Sequence, residues 1–134
     1  MYTEEITAVL RQEIAEAVIG VLEKPIAETI GSRTRFVHLS WASTHKQHRR
    51  HTDIREWHYH LLPTIIERGL VVHDTRGLGN RINIYYRQNP GNAFLVTVKA
   101  TKNGNRLYVL RFHRARAKTP KALLKRGPVL RPHK

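Results

Sequence analysis

Two alternating runs, Ala93 to Lys102 and Asn105 to Arg114, meet at Asn103-Gly104. Asn-Gly between alternating apolar residues is the strongest short-range signal for a two-residue β-hairpin turn, because both central positions need positive φ. That turn sets a register: Lys102 opposite Asn105, Ala100 opposite Leu107, Val98 opposite Val109. Side chains alternate between the two faces of a strand. One face is then apolar, with Phe94, Val96, Val98, Ala100, Leu107 and Val109. The other is a polar platform of Thr97, Lys99, Thr101, Arg106 and Tyr108. Unbroken alternation carries Arg111 and His113 to the far end of the apolar face and Arg114 to the platform side.

Two further strands precede the hairpin. Leu70 to Thr75 and Arg81 to Arg87 are joined by the turn Arg76-Gly77-Leu78-Gly79-Asn80, and Gln88 to Asn92 holds a second turn with Pro-Gly. Before them, Asp53 opens a helix with Glu56 three positions on, as in a capping box. Its core face would be Ile54, Trp57, Leu61, Leu62, Ile65 and Ile66, and Gly69 would end it. Pro63 inside this run requires a kink or break at Leu62. Residues 35–41 read as a short extended segment, and 43–51 as a strongly basic stretch.

At the start of the chain, Ile6, Val9, Leu10, Ile14, Ala17, Val18, Val21 and Leu22 recur at spacings of three and four, which predicts an amphipathic helix over 3–24. Thr3 would cap it, Pro25 would end it, and a short helix from Pro25 would stop at Gly31. Helices followed by a meander of strands give an α+β fold, with N-terminal helices on a roughly four-stranded antiparallel sheet.

Charge divides the chain into three parts. Overall it carries 24 Lys and Arg against 10 Asp and Glu, a net charge of +14. Residues 1–33 are net acidic, with Glu4, Glu5, Glu13, Glu16, Glu23 and Glu28 against Arg11, Lys24 and Arg33. Residues 34–115 form a basic body. Residues 116–134 form a basic tail with a short helix expected near Ala122–Lys125. The acidic segment can pack on the sheet or serve as an arm over the basic body, where it would be autoinhibitory. A body this cationic repels itself unless a polyanion or an acidic partner meets it, so nucleic acid is the first candidate.

Other classes drop out. The chain has no cysteine, which removes disulfide scaffolds, thiolate metal sites and cysteine nucleophiles. No apolar run is long enough to span a bilayer, and MYTEEITAVL has acids where a secretory signal has bases, so a cytoplasmic setting without membrane is expected. Nine histidines bring proton-transfer chemistry, three of them (His45, His48, His51) in HKQHRRH. Their spacing by three would drift them around a helix, and few acids are nearby, so no metal or other cofactor is expected. In RNA the 2′-hydroxyl is an internal nucleophile. Cleavage then needs only a base, an acid and cations for the phosphorane oxygens. The competing reading is a solvated cationic surface with incidental histidines.

The succession FVHLS, RRHTDI, HLLPTIIERG and FLVTVKATKNGNRLYVLRFHRA resembles the phage-associated branch of the barnase–EndoU–colicin–RelE nuclease superfamily, over about residues 35–115. The resemblance implies a barnase-like α+β fold and metal-independent endoribonuclease activity, often as a toxin held by an acidic immunity protein. By position it implies a site of His51, Ser40, Lys99, Thr101, His113 and Arg114. Arg111, His113 and Ala115 depart from that pattern, standing where a small hydroxyl residue, an aromatic, and Ser or Thr are common.

The expected protein is therefore an RNA-cleaving enzyme, with tRNA among the candidate substrates. His51 or His45 and His113 would exchange protons, Lys99 and Arg114 would stabilise the phosphorane, and Thr101 would position a phosphate oxygen. Ser40, Lys46, Arg49, Arg50, Arg106, Tyr108 and Arg111 would line the RNA path. The alternative is a basic nucleic-acid-binding or phage structural module without chemistry.

Overall fold

A computed structural model describes residues 2–50 and 54–134, with side chains for 2–46 and 54–134. In chain order the elements are α1 (Thr3–Leu10), β1 (Glu16–Val21), α2 (Lys24–Thr29), β2 (Phe36–Ser40) and α3 (Trp41–Arg50). A 3₁₀ turn (Glu56–Leu61) leads into α4 (Leu62–Arg68). Then follow β3 (Leu70–Asp74), β4 (Arg81–Asn89), β5 (Asn92–Ala100), β6 (Leu107–Arg114), α5 (Thr119–Leu124) and β7 (Val129–Arg131). The fold is α+β, but its single sheet has seven strands in the order β1-β2-β6-β5-β4-β3-β7. Every pairing is antiparallel except β2 with β6, so the sheet is mixed rather than four-stranded and antiparallel.

The four-stranded meander β3-β4-β5-β6 is the part expected, and its hairpin register is too: Ala100 faces Leu107 and Val98 faces Val109. Gly104 takes φ +77° at the turn, and its carbonyl accepts from the Arg33 backbone N–H at 2.7 Å. The alternation then breaks. Val98 pairs with Val109 but Thr97 pairs with Arg111, leaving Leu110 as an extra residue in β6. Such a bulge reverses the facing of everything beyond it. Phe112 therefore enters the core opposite Val96, and Arg111 and His113 turn to the other face. Arg114 falls on the core side opposite Phe94. The three assignments made from unbroken alternation are all inverted.

The single helix expected over 3–24 is also corrected. It stops at Leu10, Gln12 takes φ +62°, and 16–21 become an edge strand paired with β2. Val18, Ile19 and Val21 are β-branched and favour a strand, which tertiary pairing realises. Tyr2, not Thr3, stands at the N-cap. Downstream, Pro63 sits in the first turn of α4, where its missing N–H costs nothing, and the helix expected from Asp53 is split there into a 3₁₀ turn and α4. Trp57, expected in the core, is 58% exposed. Asp53 lies outside the described residues.

One core joins the acidic segment to the body. Ile6, Val9, Ile19, Leu22 and Ile26 are buried with Ile65 of α4 and with Val37, Ile84, Phe94 and Phe112 on the inner face of the sheet. The segment is thus packed, not an arm. The basic tail is ordered as well. Leu123 of α5 packs on the outer face against Val72 and Leu95, and β7 joins β3.

Arg131 in β7 is a buried cation, 6% exposed. Its guanidinium donates to the carbonyls of Ile66 at 2.7 Å and Gly69 at 2.9 Å, and to Glu23 Oε1 at 2.8 Å. It thereby satisfies carbonyls left unpaired at the end of α4 and links the N-terminal and C-terminal parts of the chain. Glu23 is half exposed, whereas the carbonyls would be left buried without a donor. We expect Arg131→Met to lower stability by about 3 kcal/mol and Glu23→Gln by less than about 1 kcal/mol, measured by urea unfolding.

Candidate functional site

The sheet registers place the outer-face residues on a grid. One row crosses six strands: Val18, His38, Tyr108, Lys99, Arg81 and Asp74. The next runs Arg111, Thr97, Asn83 and Val72, and the third His113, Leu95, Tyr85 and Leu70. Because α5 lies over the β3–β5 end of these rows, it roofs a cleft of 240 Å³. Arg111, His113 and Arg126 line this cleft, together with the ion pair of Asp74 and Arg76. Thr97 and Asn83 line its floor, where Thr97 Oγ1 donates to Asn83 Oδ1 at 2.8 Å. Asn83 is 3% exposed, and its Nδ2 has no hydrogen-bond partner. A second depression of 440 Å³ shares Asp74 and Arg76 and adds Arg81 and Lys99.

The electrostatics of the cleft are one-sided. Asp74 is its only acid, and Arg76 neutralises it with two guanidinium hydrogen bonds of 2.9 and 2.8 Å. Among the described residues, Arg81, Lys99, Arg111 and Arg126 form no ion pair with an acid. His113 Nδ1 lies 3.0 Å from the Arg114 carbonyl. A carbonyl only accepts, so the contact is a hydrogen bond when Nδ1 carries the proton. The arrangement suits a phosphate: guanidinium forks at the walls, a base at one end and hydroxyl and amide groups below.

The residues expected to form one site are divided. His113 and Lys99 share the outer face, but Lys99 stands four residues along β5 from the partner of His113, roughly 13 Å away. Arg114 is on the inner face, where it donates to Asn92 Oδ1 at 2.9 Å and lies 5.4 Å from the Phe94 ring centre. It also approaches His58 Nε2 at 3.2 Å. It cannot share a phosphate with Lys99. Thr101 Oγ1 donates to Asn103 Oδ1 at 2.8 Å and accepts from Arg106 N at 3.2 Å, so it builds the hairpin turn rather than holding a ligand.

Ser40 Oγ accepts from Ser43 N at 3.1 Å at the start of α3, a capping role. His45 stacks on Trp41 with ring centres 4.9 Å apart, and Lys46 is exposed beside it. Arg106 pairs with Glu16, while Tyr108 lies in the transverse row. The side chains of Arg49 and Arg50, and all of His51, lie outside the described residues. Arg126, Arg76 and Asn83 were absent from the expected site. Asn83 was legible as a polar residue at a regular strand position, whereas Arg126 reaches the cleft only because the tail folds back.

Among the described residues no group of three or more His, Asp or Glu is placed to hold a metal, and no helix is long and apolar enough to cross a membrane. No protein-family model, curated protein or solved structure matches the chain.

Arg76, chiefly through its side-chain hydrogen bonds, holds the Asp74 carboxyl down to about 2. A depressed carboxylate stabilises the fold above its ordinary range, and that stability disappears as pH falls toward 2. Asp74→Asn should therefore be less stable than wild type near pH 6, by on the order of 2 kcal/mol, with the difference shrinking below the ordinary carboxylate range and lost as pH falls through about 2. Urea unfolding across this pH range checks it.

Proposed function

We propose that this protein is an endoribonuclease that acts in the cleft beneath α5. The observation carrying the reading is that Arg111, His113 and Arg126 line one cleft on a cationic sheet face. The phosphate chain of RNA lies along Arg81, Lys99 and Arg111, and one phosphate enters the cleft between Arg111 and Arg126. His113 Nε2 takes the proton from the adjacent 2′-hydroxyl. The 2′-oxygen attacks phosphorus, the P–O5′ bond breaks, the leaving 5′-oxygen takes a proton from water, and the imidazolium gives its proton to the hydroxide so formed. The guanidinium groups carry the charge that develops on the phosphorane oxygens. The products are a 2′,3′-cyclic phosphate and a 5′-hydroxyl. Every step uses side chains and water, so no metal takes part. An acidic protein fitted to the same face would block it, as the resemblance to toxin nucleases implies.

The second reading is a nucleic-acid-binding module without chemistry, favoured by the placement of Lys99 and Arg114 on opposite faces of the sheet. RNA incubated in EDTA separates the two. Cleavage should persist in chelator and stop when the 2′-hydroxyl at the cut position is replaced by hydrogen. His113→Gln should slow it by about 10²–10⁴-fold with RNA affinity changed only a few-fold. Intact RNA with both proteins, with binding that weakens steeply in salt, would establish the binding module instead.

A further inference from the structure

We infer that the open half of the outer sheet face, over β1, β2 and β6, is a stacking platform for the unpaired bases of single-stranded RNA. This rests on the RNA reading above but concerns a different surface from the cleft. Phe36 is 54% exposed and faces Val21, 41% exposed, across the β1–β2 pair. A lone exposed apolar residue needs no explanation, but these two adjoin a second row in which Val18, His38 and Tyr108 stand side by side. The packing of α5 falls at Val72 and Leu95, away from this half.

Spacing and charge select the occupant. In the parallel register Phe36 lies one strand across and two residues along from Tyr108, about 8 Å between backbone positions. The Tyr108 row continues into Lys99 and Arg81, which brings cations to the edge of the aromatic patch. Arg106 is neutralised by its pair with Glu16 and adds no free cation to this border. An exposed Phe36 ring beside the half-buried rings of His38 and Tyr108, bordered by cations on a rigid sheet, suits a chain that is a polyanion outside and has flat apolar faces inside. A duplex hides those faces in its own stack, so the platform takes single strands. A neutral apolar protein would gain nothing from the cationic border.

A 2′-O-methyl RNA strand, which cannot be cut, tests this by fluorescence anisotropy, since its binding is measured whether or not the protein cleaves RNA. Phe36→Leu and Tyr108→Leu keep apolar volume but remove the ring faces. Each should weaken single-strand binding by about tenfold, and Tyr108→Phe should leave it unchanged. The salt dependence should keep its slope, because no phosphate contact is lost. Unchanged affinity in both leucine variants, or a duplex bound as tightly as the strand, would overturn the platform and leave the cleavage test untouched. Unaltered melting temperatures show that the variants are folded.

Discussion

A single extra residue in β6 governs which side of the sheet does what. With Leu110 bulged out, Phe112 fills the core beside Phe94 and Val96, and Arg111 and His113 reach the outer face. Without it, a guanidinium and an imidazole would be driven against the inner helices and Phe112 would be turned outward. The hydrophobic requirement at 112 and the polar requirement at 111 and 113 are met together only by breaking the strand's period. The irregularity is confined to one register shift between β5 and β6. The gain is a sheet with a largely apolar inner face and an outer face that gathers Arg81, Lys99, Arg111 and His113.

The two faces are finished by parts of the chain far apart in sequence. The acidic N-terminal segment seals the inner face through Ile6, Val9, Ile19 and Leu22 and adds β1 to the edge. Its charge is thereby spread beside a basic body, and Glu16 reaches Arg106. The C-terminal segment works on the opposite side, where α5 raises one wall of the cleft and β7 closes the other edge. Basic residues 116–134 thus build the cleft instead of trailing from it.

The elements most readable in the sequence were those fixed by short-range chemistry. Asn103-Gly104 marks its hairpin, although only Gly104 takes positive φ and the loop is wider than the two residues expected, Pro63 sits at a helix start, and Gly31 ends α2 in a positive-φ conformation. What escaped depended on partners remote in the chain. Val18, Ile19 and Leu22 satisfy a helical period as well as a strand's needs, and only β2 as a neighbour decides between them. The parallel pairing of β2 with β6 has no local signature, nor does the bulge at Leu110, where VLRF reads as ordinary alternation. The candidate site inherited these limits. His113 and Arg111 were named from the right strand but on the wrong face, Arg114 was lost to the inner side, and Arg126 was hidden in a segment with no visible reason to fold back.

The contact between Glu23 and Arg131 spans 108 residues. Closing so long a loop is entropically unfavourable until other packing has brought its ends together. The guanidinium clasp therefore joins two parts of the chain that other packing must first bring within reach, and it ties β7 to the end of α4. The cationic pocket therefore depends on the C-terminal segment twice over: α5 supplies its wall, and β7 carries the clasp that ties this segment to the N-terminal part of the chain.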